Sequence, residues 1–370
     1  MNGRIRKVFP GGNTSQGFRS FFQYIIDENA ERIFIIKGGP GVGKSTFMSH
    51  IGREMGILGF DIEEHHCSSD PVSLDALVIP AVKVALLDGT APHVVDPKNP
   101  GLVEEIINLG DYWNDSKIQS YKDEIMKINR RVGRLFDIAH RQLYESKVAY
   151  DEWKSYYQES IDKVKYMQLV RSLLDDVFGN VVSNYQEAPK ERHLFASAIT
   201  PEGLWNYIDT LIMPNMKIFA LKGSPGTGVK AAIGRVSQAA SELGLDTEQF
   251  HCPIEPEFLD MVIIPGLNTA VMNVTEPYHF KVDQLKGLEV KVIDFNSCIR
   301  KEILEDYSSE ICDAKGRFHS LLKKSIEHLS QVKTTREVLE SYYTGAMDFD
   351  KIEAKRQEIV KRILGYVKGV

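Results

Sequence analysis

Phe34 to His93 align without a gap on Phe219 to Tyr278, 185 residues further on, with 20 identities in 60 positions. A repeat at half the chain length means that the fold is built twice from closely similar instructions. The identities fall in blocks: Lys37-Gly38 with Lys222-Gly223, Pro40-Gly41 with Pro225-Gly226, Gly43 with Gly228, His66-Cys67 with His251-Cys252, Leu74-Asp75 with Leu259-Asp260, and Ile79-Pro80 with Ile264-Pro265. Upstream, Phe9 and Thr14-Ser15-Gln16-Gly17 correspond to Phe195 and Thr200-Pro201-Glu202-Gly203 after a one-residue slip. Each unit therefore begins before its glycine-rich loop, and the chain divides into 1–185 and 186–370. Thr14 and Thr200 are expected to cap helices.

Within each unit the hydrophobic period changes. Short apolar runs (Ile33–Ile36, Leu77–Ile79, Val84–Leu87) alternate with a helical stretch from about Lys44 to Leu58 and a strand from about Asp61 to Cys67. That rhythm predicts a mostly parallel sheet with crossover helices, an α/β fold repeated in tandem. From roughly Asn114 to Phe178, and again from about Ile299 to Val367, the pattern is helical and free of proline. In the first of these stretches Ile118, Tyr121, Ile125, Ile128, Val132 and Leu135 recur at spacings of three and four, and the stripe through Ile118, Ile125, Val132 and Leu135 should be buried within the chain or in an oligomer. One straight helix over such a span would reach on the order of 90 Å at 1.5 Å per residue, so a folded-back pair is expected. These arms either pack on their own sheets and each other, or present a surface to a protein partner.

Gly38-Gly39-Pro40-Gly41-Val42-Gly43-Lys44-Ser45-Thr46 satisfies G-x-x-x-x-G-K-[ST] between an apolar strand and an amphipathic helix. Glycines let the backbone N–H groups turn inward toward phosphate oxygens, and the following helix offers its positive end to the same anion. Lys44 would bridge the β- and γ-phosphates, with the Ser45 hydroxyl as a Mg²⁺ ligand. On these residues the chain resembles the P-loop NTPase superfamily. More narrowly it is similar, over its whole length, to a duplicated, largely uncharacterised group of bacterial proteins taken to be ATPases. The resemblance implies ATP and Mg²⁺ as ligands. It also implies an acid at the end of an apolar strand that holds the metal through water, and Asp88, closing Val84-Ala85-Leu86-Leu87-Asp88, suits that role. Asp88 could instead serve only to open the turn Asp88-Gly89-Thr90. Asp75 precedes its apolar run and recurs as Asp260, which suggests a structural part.

The second unit acts as an internal control. Lys44 becomes Val229, Ser45 becomes Lys230, Thr46 becomes Ala231 and Asp88 becomes Asn273, while the turn glycines stay. One competent triphosphate site is therefore expected, in the first unit. Lys230 is displaced by one residue, about 100° around a helix of 3.6 residues per turn, and should miss the phosphate. Lys37 lies seven residues before Lys44, not the five of deviant-loop ATPases, and recurs as Lys222, so a structural role is expected.

Other constellations are less specific. Asp70, Glu63 and Glu64 lie near the second strand, where any could orient a water or take a proton, with Asp70 the choice for the catalytic set. His66-Cys67 and His251-Cys252 could meet around Zn²⁺, or simply face their own cores. His93 becomes Tyr278 in the silent unit, as an active-site residue would. Arg130, Arg131 and Arg134 could be lid arginines over a transferred phosphoryl group, or a solvated helix face. Net charge is -6, with no argument for a nucleic-acid or anionic-membrane partner. Four cysteines without a CxxC pair, no signal-length apolar stretch and no run of membrane-spanning length point to a cytoplasmic protein. The functional expectation is hydrolysis of Mg-ATP coupled to a conformational change. A kinase acting on a small molecule or nucleotide, and a nucleotide-dependent scaffold with negligible turnover, are the alternatives.

Overall fold

The computed structural model describes residues 2–27, 29–91, 94–179, 181–183, 187–276 and 288–367. His93 and Tyr278 lie outside them. The first unit runs β1 (Ile5–Val8), β2 (Gly11–Thr14), β3 (Gly17–Ser20), β4 (Arg32–Lys37), α1 (Lys44–Ile57), β5 (Ile62–Cys67), β6 (Asp70–Ile79), β7 (Val84–Asp88) and β8 (Glu104–Asn108). Then come α2 (Asp115–Gln119), α3 (Lys122–Glu159) and α4 (Lys163–Phe178). The second unit repeats this as β9 (Glu191–Leu194), β10 (Ser197–Thr200), β11 (Gly203–Asn206), α5 (Ile208–Leu211), β12 (Lys217–Lys222), α6 (Val229–Glu242), β13 (Thr247–His251), β14 (Leu259–Ile264), β15 (Thr269–Asn273) and β16 (Glu289–Asp294). It closes with α7 (Lys301–Asp306), α8 (Ser308–Thr344) and α9 (Phe349–Tyr366).

Two six-stranded sheets have the same order, β1-β5-β6-β7-β4-β8 and β9-β13-β14-β15-β12-β16. The fold is mixed α/β, and the parallel pairings β4–β7, β4–β8 and β1–β5 agree with the sequence. The crossover helices do not all exist. β5, β6 and β7 form an antiparallel meander, because Ser68-Ser69 and the short turn at Pro80–Val82 are too brief for a crossover. An apolar run buried on both faces looks the same in either direction, so periodicity could not show the reversal.

Thr14 and Thr200 cap no helix. Each ends the first strand of a hairpin, where the Thr14 hydroxyl donates to Gly17 O at 2.7 Å and accepts from Gln16 N at 3.1 Å, and Thr200 does the same with Gly203 and Glu202. The two hairpins join edge to edge as a four-stranded sheet, β11-β10-β2-β3. Phe9 and Phe195 exchange backbone hydrogen bonds of 2.9 and 3.0 Å beside it. A pseudo-twofold axis passes there, since 9 and 195 are equivalent positions. A square of charges straddles the same axis. Arg6 bonds Glu248 at 2.8 and 2.6 Å, Arg192 bonds Glu63 through both terminal nitrogens, and each arginine also lies within ion-pair range of the other carboxylate. Despite burial, the Glu63 carboxyl is held well below its usual range, by Arg192 above all.

The arms depart most from a simple tandem reading. α3 is one 38-residue helix, about 57 Å long at 1.5 Å per residue. Its partner is α8 of the other half, which it meets through Ala139, Leu143, Ala149, Tyr150 and Trp153 against Ala314, Phe318, Leu322 and Leu329. Of the predicted stripe, Ile125 and Leu135 are buried and Ile118 and Val132 half-buried; beside it Ile128 is half-buried, and Tyr121 is exposed and touches Tyr342.

At the far end of each long helix the chain crosses over. Asn114 N donates to Ala346 O at 2.9 Å and Asp348 N to Tyr112 O at 2.9 Å. The equivalent crossing has Arg300 N on Ser160 O at 2.9 Å and Asp162 N on Cys298 O at 2.8 Å. As a result α9 completes the first core, where Ile352, Ile359, Val360 and Ile363 pack with Phe34, Ile36, Phe47 and Ile51. α4 completes the second, with Val170 and Leu173 against Phe219, Val229 and Ile233. The arms of 1–185 and 186–370 are exchanged between the units, and neither folds back on its own sheet.

Candidate functional site

The first glycine loop joins β4 to α1. β7 lies parallel beside β4 in the register Ile36 to Asp88, which brings the Asp88 carboxylate next to the loop. Gly43 has φ 90°, a left-handed conformation open to glycine, and Gly41 has φ 72°. A Cβ at Gly41 would also meet the backbone of Glu340, with the carbonyl oxygen 2.6 Å away. The loop thus carries α8 of the other unit directly on its surface, and Thr344 Oγ1 donates to Gly41 O at 3.1 Å. At the second loop Gly226 (φ 93°) and Gly228 (φ 91°) keep the same conformation. Here α3 takes the matching place, with Lys154 and Tyr157 on Gly226.

Lys44 opens α1, and its ammonium turns back to donate to Gly38 O at 3.0 Å and Gly39 O at 2.9 Å. It stands 3.6 Å from Asp88 Oδ2, an ion pair beyond hydrogen-bond length. Burial lowers its pKa below the usual lysine range, Asp88 partly offsets this, and the Arg336 charge lowers it further. Ser45 Oγ accepts from Leu74 N at 2.9 Å, which leaves its own hydrogen and another lone pair to use. Thr46 follows as an exposed first-turn residue.

Asp88 does open a turn. Its Oδ1 accepts from Thr90 N at 2.9 Å and Thr90 Oγ1 at 2.6 Å. Asn273 makes the same two bonds with Thr275, at 3.1 and 2.6 Å. The turn therefore needs the side-chain oxygen but not the charge, and the charge at Asp88 is in excess of that role. Asp75, on the neighbouring strand β6, is close enough that burial and the Asp88 charge together raise its pKa to about 7. Two carboxylates therefore stand side by side in the first unit. In the second, Asn273 Nδ2 donates to Asp260 Oδ1 at 3.0 Å and the repulsion is gone. Asp75 thus belongs to the site and not only to the scaffold.

Asp70 reaches the site in a different way from the one its sequence position suggests. It pairs with Lys333 of α8 at 3.0 Å and accepts from Ser73 Oγ at 2.6 Å, so it anchors the arm. Its counterpart Glu255 is likewise held by the arm, through Lys154 at 2.5 Å and Lys147 at 3.7 Å. Lys147 and Lys333 are equivalent across the 186-residue spacing of the arms.

Glu63 and Glu64 are not at the loop. The first belongs to the charge square, and the second pairs with Lys7 at 3.4 Å and His66 at 3.2 Å on the side facing the other unit. Lys37 is structural, donating to Gly89 O and Val95 O at 2.8 Å each. Arg130, Arg131 and Arg134 lie exposed on α3. Among the described residues no group of three or more His, Cys, Asp or Glu could hold a metal. His66 and Cys67 lie at a register shift of β5 and have different neighbours. His66 bonds Pro71 O, and Cys67 lies by Asp75, which together with burial raises its pKa.

Lys230 sits at 2.8 Å from Glu255 and 3.0 Å from Cys252 Sγ, under the Tyr150 ring. Burial opposes its charge, but Cys252, Tyr150, Asp260 and Glu255 hold the ammonium well above the usual lysine range. Glu255 is correspondingly depressed to about 2 in spite of its burial, by Lys230 and Lys154. The cavity between Tyr150, Lys154, the loop 223–231 and Asn273 encloses about 80 Å³, enough for a few waters and far below a nucleotide.

Sequence reasoning missed the α8 residues on the first loop, Lys333, Arg336, Glu340, Tyr343 and Thr344. They were legible only by aligning the two arms, where Lys147 matches Lys333 but Tyr150 stands against Arg336 and Lys154 against Glu340. No helix among the described residues is long and apolar enough to cross a membrane. No protein-family model, curated protein or solved structure matches this chain.

Proposed function

We propose that the first unit binds Mg-ATP across Gly38–Ser45 and hydrolyses it, with turnover coupled to movement of α8. On this reading the chain is a P-loop NTPase of two pseudo-symmetric units, one competent and one silent. The observation that carries it is the contrast between two loops of one backbone shape. The first keeps a lysine at the head of its helix, a hydroxyl beside it and a charge at Asp88 that the turn does not need. The second has replaced all three.

Lys44 would exchange the Gly38 and Gly39 carbonyls for β- and γ-phosphate oxygens, which the inward-facing loop amides also bind. Ser45 and Asp88 are the residues that would hold Mg²⁺, Asp88 through water, and both fit. The serine has coordination capacity left, and Asp88 Oδ2 faces the site. The metal supplies charge neutralisation between the β- and γ-phosphates. Coupling to α8 is supported by Glu340 and Thr344, which rest on Gly41, so that phosphates entering or leaving the loop must shift them.

Phosphate release from ATP and Mg²⁺ with no acceptor, compared between the native chain and Lys44→Ala, tests this reading. Release by the native chain alone supports it. Transfer to an added small-molecule acceptor without free phosphate would make the protein a kinase, and tight binding without single-turnover chemistry would make it a scaffold.

A further inference from the structure

The two arms lie on the two loops in equivalent positions, so residues common to both arms and residues that differ can be separated. Lys147 and Lys333 are common, and each contacts the acid after the second strand, Glu255 or Asp70. This pair anchors the arm whether or not the loop beneath is competent. The difference lies one turn further on. Arg336 on α8 occupies the place that Tyr150 holds on α3.

Arg336 is fixed over the first loop by its neighbours on the same helix face. Three residues before it, Lys333 is bonded to Asp70 at 3.0 Å. Four residues after it, the backbone of Glu340 abuts Gly41, and a turn later Thr344 bonds Gly41 O. Helical spacing puts 333, 336, 340 and 344 on one stripe. Arg336 as a residue is half-buried and, among the described residues, its guanidinium makes no hydrogen bond or ion pair. Its charge is nevertheless felt by Lys44, Asp75 and Glu340. Two cations, Lys44 from one unit and Arg336 from the other, thus converge above a loop whose amides favour an anion. At the silent site both are gone together, as Val229 and Tyr150.

We infer that Arg336 is a catalytic residue supplied by the second unit, its guanidinium contacting the terminal phosphate of the nucleotide held by Lys44 and the first loop. This rests on the Mg-ATP reading of that loop. In hydrolysis a water oxygen bonds the γ-phosphorus and the bond from that phosphorus to the β–γ bridging oxygen breaks. ADP leaves with the electron pair, and the water's proton passes to the phosphate product or to solvent. Arg336 would stabilise the charge on the γ-oxygens as that bond breaks. Because ADP has no terminal phosphate of this kind, the residue would also distinguish ATP from ADP.

The test compares the full-length native chain with Arg336→Ala, Arg336→Lys and Tyr150→Phe in three measurements: single-turnover rate, affinity for a non-hydrolysable ATP analogue, and affinity for ADP. Arg336→Ala should lower the rate by roughly 10²-fold or more and weaken the ATP analogue relative to ADP, with ADP affinity and thermal midpoint little changed. Arg336→Lys should recover part of the ATP preference, and Tyr150→Phe should leave all three as they are. Native turnover and an unchanged ATP-to-ADP ratio in Arg336→Ala would overturn the inference while the Mg-ATP reading stands. Equal loss of ATP and ADP affinity would also overturn it, by reducing Arg336 to a structural role. A native chain that binds neither nucleotide would overturn both.

Discussion

The two glycine loops share the left-handed glycines Gly41/Gly226 and Gly43/Gly228 and differ in where their charges find partners. In the first, Lys44 makes its hydrogen bonds to the loop's own carbonyls and two carboxylates crowd each other. In the second, Lys230 is locked to Glu255, which also holds Lys154 and Lys147 of the crossing arm, and Asn273 bonds Asp260. The lysine and the glutamate at the second loop are thus paired within the chain. The lesson is that a glycine loop can hold its shape with counter-ions taken from the protein. The second loop is in this way a joint, tied to α3 where Lys154 and Lys147 meet Glu255. The joint between α8 and the first loop is lighter, with Lys333 bridging Asp70 and Glu202 near the surface. Of the two arms, α8 is the one a ligand could displace.

The sharpest break in the comparison is Lys44→Ala. Removing a buried cation from a phosphate site costs a few kcal/mol, so ATP affinity measured by calorimetry should fall on the order of 100-fold or beyond detection. Lys230→Ala should leave it unchanged, at one nucleotide per chain. Strong residual binding in the first variant, or two equivalent sites in the native chain, would end the asymmetric reading.

Asp88→Asn comes next. The turn should survive, since Asn273 already makes it, so the thermal midpoint and metal-free nucleotide binding should hold while Mg-dependent turnover is lost. Normal turnover would move the metal role to Asp75.

A smaller effect is expected on stability. Lys230→Ala leaves Glu255 buried with Lys154 and Lys147 as its remaining partners, and should cost about 1–3 kcal/mol in denaturant unfolding. No loss would mean that the second loop is not a joint.

The titration of Asp75 reads the crowding of the first site directly. Its folded pKa, about 7, lies above the unfolded carboxyl value, so the folded state holds this proton more tightly. Its contribution to stability is full below about pH 4 and fades as pH rises through 7. The difference in unfolding free energy between native and Asp75→Asn protein should therefore change across this window, and change less in an Asp88→Asn background. A flat difference would show that the carboxylates are not coupled.

The smallest expected effect is none. Restoring Val229→Lys, Lys230→Ser and Asn273→Asp together should still give no second nucleotide site, because Glu255, Lys154 and Tyr150 remain in the space. Gain of a second binding event would show that the loop alone decides competence.

The loop, α1, β4 and the carboxylate at the end of β7 were legible in the sequence because local chemistry dictates them. Glycines at the left-handed positions, the apolar run of β4 and the polar residue closing β7 need no knowledge of what lies across the molecule. The direction of β6 was not legible, since Leu77-Val78-Ile79 is apolar on both faces whichever way it runs. Nor were the partners of the arms. Ile125 and Leu135 announce a buried stripe without saying which helix buries it, and Arg336 sits among charged neighbours that read as solvent-facing. The ion pair of Asp70 was not legible either, because its lysine comes from a helix more than 250 residues later.

The exchange of arms has a consequence for the order of events as the chain is synthesised. The core beneath the first loop includes Ile352, Ile359, Val360 and Ile363, so that core stays open until α9 has been made. The glycine loop, made within the first eighth of the chain, has to wait for α8 and α9. A product that stops before α9 therefore lacks part of the core on which the first loop rests.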